Sequence, residues 1–379
     1  MQLLWFLLAV FLYFQFSWAR AFEDFENNQN SDNDKTVAVP LIWAYGGYHF
    51  AEIGIGTPPQ KFRVFFDIWN QNTWIISTKC LLYKYATCRN HARYDAKKSN
   101  SSKETAEEFS CVDYGTTLNG TITEDKVTFG NQVVSVPFGE VSKTEGETLA
   151  TATFDGSFGL GFGSTGTKQP TVLQSMQKGG VISKQVFGIY ARSDANGEIT
   201  FGGYDKSRYS GDIDFVKVIS KQEWMFDIKR IMFDDVDLTG QNCQGVVNDG
   251  SHHIYGPKEQ VEKIYKKLGC DPSKLCEVDC NKISTFPKLK ITVKKTEFII
   301  EPKDYIDKES GRCTGRLFDL DQPTWLLGNL FLDNVYTAYD VDNAQIGFAR
   351  VNGATSALFS NYKPVQLVLI VAALRYLQM

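Results

Sequence analysis

Phe66-Asp67-Ile68-Trp69-Asn70 and Val247-Asn248-Asp249-Gly250-Ser251 lie about half the chain apart and read as two copies of one loop. Each is opened by strand-forming residues, Phe62-Arg63-Val64-Phe65-Phe66 and Gly245-Val246-Val247, so each loop is expected to leave the end of a buried strand. They read as two halves of an acid pair, and the second half lacks its acid: Asn248 stands where Asp67 stands in the first.

Outward from these loops the chain reads mostly as strands: 48–55, 123–129, 199–201, 215–219 and 290–293, with Gly, Asn, Asp and Pro turns between them. That pattern predicts an all-β architecture with a few short helices. The clearest helix spans 257–268, where Val261, Ile264, Tyr265 and Leu268 share one face, Pro257 suits the first turn and Gly269 the C-terminal cap. At 379 residues, 43% hydrophobic and 22% charged, the chain can bury a large core in two lobes or two domains. A net charge of -4 with no basic cluster argues against nucleic acid as a partner.

The apolar run 3–13, followed by Ser17-Trp18-Ala19-Arg20-Ala21, reads as a secretory signal over 1–21, although no Lys or Arg precedes the run. It falls short of the ~20 residues a bilayer-spanning helix needs. In an exported chain the eight cysteines are expected to be oxidised, and the even count requires no free thiol. Cys80 with Cys88 would close a small loop and Cys280 with Cys313 a later one, while Cys111, Cys243, Cys270 and Cys276 stay unassigned. No Cys-x-x-Cys pair occurs, and neither a metal nor another cofactor is expected. Asn100-Ser101-Ser102 and Asn119-Gly120-Thr121 are candidate glycan sites.

Several ordered motifs accompany the two loops. Ile55-Gly56-Thr57-Pro58-Pro59-Gln60 precedes the first and Trp74 follows it; then come Tyr114-Gly115-Thr116, Phe154-Asp155-Gly156 leading to Gly159-Leu160-Gly161, and Phe201-Gly202-Gly203. Gly256-Pro257, Trp325-Leu326-Leu327-Gly328, Asp340-Val341-Asp342-Asn343 and Ile346-Gly347-Phe348-Ala349 complete the series. From about Tyr48 to Val351 the chain resembles the pepsin-like aspartic endopeptidases. The resemblance implies a bilobal fold whose cleft lies between two related β-rich lobes, each contributing one aspartate. It divides the chain into a short acidic segment over 22–44, an N-terminal lobe with its flap over 45–210, a C-terminal lobe over 211–351 and a tail over 352–379.

That family carries Asp-Thr-Gly-Ser or Asp-Thr-Gly-Thr in each loop. Matched residue by residue, Asp67 holds the first catalytic position, with Ile68, Trp69 and Asn70 after it. Asn248 holds the second, with Asp249, Gly250 and Ser251 after it; Gly256-Pro257 fixes this register, so Asp249 is off by one. Two carboxylates held together share a proton and so provide both an acid and a base. Asn248 can hydrogen-bond but cannot exchange a proton, and Asp67 alone is expected to ionise as an ordinary carboxylate. Ile68 lacks the hydroxyl that braces the family's loops, Asp249 would bring a further charge near Asp67, and Trp69 puts a large ring where the family has glycine. Asp67 also has a purely structural reading, as a carboxylate accepting from loop amides. His252 and His253 invite a metal or replacement-base reading against a solvated or cleft-lining one.

The hairpin 109–128 resembles the family's flap, with Tyr114 as the flap tyrosine and Trp74 as the tryptophan it approaches; Thr117 and Leu118 depart from the family's glycine and serine. A glycan at Asn119 would sit near the flap tip. The segment 22–34 is acidic and short where the family's zymogens carry a basic pro-segment. After Val351, the small residues 352–356, a spacer and the apolar run 365–374 are ordered like a lipid-anchor attachment signal, with Arg375 as a departure. The expectation is a secreted, monomeric pseudoprotease that takes a peptide or extended protein segment into its cleft without efficient cleavage. The alternatives are a weakly active endopeptidase using Asp67 and a surface interaction protein with a vestigial cleft.

Overall fold

A computed structural model describes residues 35–44, 48–146, 148–163, 168–192, 195–271 and 275–352. The expected signal, most of the acidic segment and the tail lie outside them. The chain is predominantly β, and its two lobes repeat one strand arrangement. In the first lobe Gln60–Asp67 runs parallel to Gly156–Gly159, which runs antiparallel to Trp74–Ile76, which in turn runs parallel to Gln132–Glu145. In the second, Gln244–Val247 runs parallel to Trp325–Leu327, which is antiparallel to Ile254–Pro257, itself parallel to Leu317–Leu320.

A shared platform joins the lobes. It carries Val37–Trp43, Ala195–Phe201 and Val186–Arg192 from the first half, and Val335–Asp340, Gln345–Val351 and Tyr209–Lys217 from the second. Val335–Asp340 pairs antiparallel with Val186–Arg192, which puts Thr337 opposite Ile189. Val37–Trp43, ahead of residue 45, pairs with Ala195–Phe201 and with His49–Ile55. Val37, Val39 and Leu41 are buried while Ala38 and Pro40 are exposed, and this period-two pattern docks the strand onto Ala195–Phe201. The other lobe boundary, at 210/211, falls inside the strand Tyr209–Lys217.

The strand beneath Asp67 is pinned by aromatic packing. Phe66 meets Phe201 at 5.4 Å, Phe158 at 6.1 Å and Phe129 at 6.5 Å, all buried. A ring cluster of this kind stabilises the strand end by several kcal/mol, on the order of 3–5 for loss of one Phe side chain. The helix expected at 257–268 is Lys258–Leu268, with Pro257 as the residue that caps its start rather than lying in its first turn. Pro257 belongs to the strand Ile254–Pro257 and keeps a ψ of 134°, which is extended. Gly269 closes the helix at φ 70°, where a residue without Cβ is favoured.

Disulfides join Cys80 to Cys88, Cys280 to Cys313 and Cys270 to Cys276. Complete oxidation is not what the fold gives: Cys111 lies on a flap strand of one lobe and buried Cys243 in the other lobe, and both are free.

Candidate active site

Each loop is tied down by the strand that runs beside it. Leu160 N–H donates to the Asp67 carbonyl at 2.7 Å and Gly161 N–H to the Asn70 carbonyl at 3.0 Å. In the second lobe Asn248 N–H donates to Leu327 at 3.0 Å and Asn329 N–H to Ser251 at 2.7 Å. Close backbone passage requires glycine here: a Cβ on Gly328 would lie 2.2 Å from the His253 carbonyl oxygen.

The two loops match down to the side-chain turn. Asp67 Oδ1 accepts from the amides of Trp69 at 2.8 Å and Asn70 at 2.9 Å. Asn248 Oδ1 accepts from the Gly250 amide at 3.0 Å, the same step of two residues. Asn248 therefore occupies in its lobe the position that Asp67 occupies in the other, and both line one cavity of about 210 Å³ with Trp69, Asp113, Tyr114 and Gly250. The residues after Asn248 depart from that symmetry: Ile68 N–H donates to Asp249 Oδ2 at 3.3 Å. A backbone amide thus bridges the loops where a hydroxyl was missing, and Ile68 points its side chain into the core at 2% exposure.

Two charges behave differently from their sequence expectation. Asp67 does not ionise as an ordinary carboxylate: it is 3% exposed, and burial together with the nearby Asp113 pushes its pKa up to about 7. Asp249 brings an acid whose ionisation is opposed: burial of its carboxyl and the proximity of Asp67 push its pKa well above the usual range. Its Oδ1 is shielded from solvent and has no hydrogen-bond partner. Asp249 lines a second cavity of about 50 Å³, together with Ile68, Phe66 and Tyr339.

Trp69 does not fill the cleft. Its ring is 40% exposed at the rim, so the floor between Asp67 and Asn248 stays open. The flap strands Lys103–Asp113 and Thr116–Phe129 meet in a two-residue turn, Tyr114 at φ 46° and Gly115 at φ 65°, the positive values that a tight hairpin requires. Tyr114 rests among Phe154 at 5.6 Å, Phe65 at 6.1 Å and Tyr48 at 6.5 Å. Buried Trp74 sends its indole N–H to Asp113 Oδ2 at 2.7 Å. Burial pushes the Asp113 carboxyl upward, while Trp74, Asn70 and the Tyr114 backbone beside it act the other way.

Asp113 was not among the expected site residues, although its strand carried a signal. Alternation along 109–113 places Asp113 in phase with buried Phe109, while Val112 turns outward at 65% exposure. An acid on the inward phase beside Tyr114 marks a group that must find donors. Asp155, in the motif leading to Gly159, supports the first loop from behind: it accepts from Arg63 N–H at 2.9 Å and Ala92 N–H at 3.0 Å. Burial pushes it up, yet the His91 imidazole 3.6 Å away and the Arg63 and Ala92 donors bring it down to about 2.

His252 packs on Tyr48 at 5.4 Å and His253 on Phe318 at 4.8 Å. Among the described residues no cluster of His, Cys, Asp or Glu is arranged to hold a metal. Asn100 is exposed, whereas half-buried Asn119 accepts from Ser110 Oγ at 3.0 Å within the flap.

Residues 48–351 match the family model described as eukaryotic aspartyl protease. The chain belongs to that family. Cathepsin D of Gallus gallus is 33% identical over 321 residues, covering 80% of each chain. Cathepsin E-B of Xenopus laevis is 31% identical over 335 residues, with 84% of this chain and 83% of the relative covered. Renin-2 of Mus musculus is 31% identical over 343 residues, with 86% and 85% covered. The identities of 31–33% extend over most of the chain, in keeping with the bilobal β frame.

Proposed function

We propose that this aspartyl protease homologue is a secreted pseudoprotease that holds a peptide or extended protein segment in its cleft without efficient cleavage. One observation carries the reading: Asn248, turned like Asp67 and facing it across the cavity, puts an amide where a second exchangeable carboxyl is needed. The open floor and the aromatic side chains of Tyr114 and Trp69 on the cavity, with Tyr48 packed against Tyr114, support retention of a peptide. The signal-like N-terminus and the disulfides support export.

Denatured globin incubated with the mature protein across roughly pH 2 to 6, the range in which carboxyl pairs titrate, is expected to stay intact. Asp113 favours a second reading, in which it replaces the lost acid and leaves a weak endopeptidase. Cleavage abolished by both Asp67→Asn and Asp113→Asn would establish that reading in place of the first.

A further inference from the structure

The smaller cavity, of about 50 Å³, lies where the two loops meet the platform: Ile68 and Asp249 on its wall come from the loops, and Leu41, Ile189, Thr337 and Tyr339 from platform strands of both halves. Two polar atoms on this wall find no partner within the protein, Asp249 Oδ1 and the Tyr339 hydroxyl, and both are shut off from solvent. Each side chain is held in place. Tyr339 is 0% exposed, its ring stacked on Phe187 at 4.5 Å and set edge-on to Trp224 at 4.9 Å. Asp249 is fixed through its other oxygen, Oδ2, which accepts the Ile68 N–H at 3.3 Å. A buried oxygen without a partner forfeits the hydrogen bonds it made to water in the unfolded chain, so two of them on one cavity mark a place for a ligand. Size decides which. Water takes about 30 Å³ in the liquid, so roughly one or two molecules fit, whereas organic ligands need on the order of hundreds of Å³. An ordered water also needs roughly two to four polar partners; the two oxygens supply the minimum, and Thr337 lies on the same wall.

We propose that this cavity is the site of an ordered water hydrogen-bonded to both Asp249 Oδ1 and the Tyr339 hydroxyl, which ties the second loop to the platform. Asp249 then joins three parts of the molecule: the first loop through the Ile68 N–H, its own loop through the chain, and the strand Val335–Asp340 through the water. The second carboxyl oxygen makes this possible, because a side chain with a single oxygen could not serve Ile68 and the water from two separate atoms. Water suits the place in either protonation state of the carboxyl: it donates to an ionised Oδ1 and accepts from a protonated one. Tyr339 is a positioning residue in this arrangement, acting on the loops through the water. The inference holds whether the cleft cuts a peptide or only retains it.

A crystal structure of the mature protein, with the cavity left empty until the difference map is read, tests the site. The expected result is a peak within about 2.6–3.2 Å of both oxygens; a dry cavity, or a peak bonded to only one of them, overturns the proposal. Tyr339→Phe keeps the ring and removes the hydroxyl, so it tests the link to the loops. By hydrogen-exchange NMR the Ile68 amide is expected to exchange about 2- to 10-fold faster in this variant, the equivalent of one ordinary hydrogen bond, with the flap amides of 116–122 unchanged. An unchanged Ile68 amide, or a loss of protection shared equally by the flap, overturns the positioning role of Tyr339. Should Tyr339→Phe fail to fold, the wild-type difference map alone decides.

Discussion

At the scale of single residues, the second loop shows how little geometry an Asp-to-Asn exchange disturbs and how much chemistry it removes. Asn248 keeps the two-residue turn to Gly250 that Asp67 makes to Trp69. Restoring Asn248→Asp alone would nevertheless add a further acid to a site already holding Asp67, Asp113 and the sequestered Asp249 carboxyl. Like charges in one enclosure cannot all ionise, and Trp69 still overhangs the rim. Turnover of denatured globin by this variant is expected to remain at least ~10²-fold below that of the fourfold repair Ile68→Thr, Trp69→Gly, Asn248→Asp and Asp249→Thr, the lower end of what acid–base assistance contributes. Comparable turnover by the single variant would show that loop distortion is unimportant. The two loops were legible as a duplicated pair because their strand-forming runs and the Gly256-Pro257 register are local features. The fate of the charges was not legible, because it depends on burial of Asp67 and on Asp113, which lines the same cavity only once the flap is in place.

At the scale of elements, a buried polar contact ties the base of the flap turn to the strand behind it. Trp74 lies on a short central strand with 1% exposure, and its indole N–H reaches across to Asp113 at the end of a flap strand. The sequence pointed to Trp74 as a partner of Tyr114; the structure gives the indole proton to the residue before it. Trp74→Phe keeps most of the ring volume and removes the donor, leaving a buried carboxyl short of one partner. The expected cost is about 1–3 kcal/mol in urea unfolding, with faster amide exchange over 109–118. A loss confined to global stability, with flap exchange unchanged, would mean that Asp113 is not what holds the hairpin down.

For the whole molecule, the buried acids set opposing pH limits. Asp67 has a folded pKa of about 7, above its unfolded value, so the folded state binds the extra proton and stability declines as pH rises from ~4 to about 7. Asp249 and Asp113, also shifted upward, act in the same direction. Asp155, brought down to about 2, contributes stability that is present above the unfolded carboxyl range of ~4 and is lost as pH falls toward 2. Urea unfolding between roughly pH 2 and 8 is therefore expected to show greatest stability near pH 4, each titrating group changing it by at most ~1.4 kcal/mol per pH unit. Asp249→Asn should flatten the alkaline limb. Stability that climbs steadily from pH 4 to 7 would contradict the burial of these carboxyls.

The sequence by itself determined the bilobal β architecture, the register of the two loops and the absence of an acid at Asn248. These follow from patterns within a few residues: alternating apolar positions, glycines where backbones cross, and ordered motifs from Tyr48 to Val351. The strand before residue 45 was also visible as alternation along Val37-Ala38-Val39-Pro40-Leu41, which a division by motifs alone passed over. Tertiary structure decided that Cys270 meets Cys276 while Cys111 and Cys243 stay free, that Trp69 stays at the rim, and that the Asp67 carboxyl lies above the ordinary range. Each of those depends on what surrounds a side chain once the chain has folded, and a carboxyl's charge depends on how much water and which other charges the folded chain leaves around it.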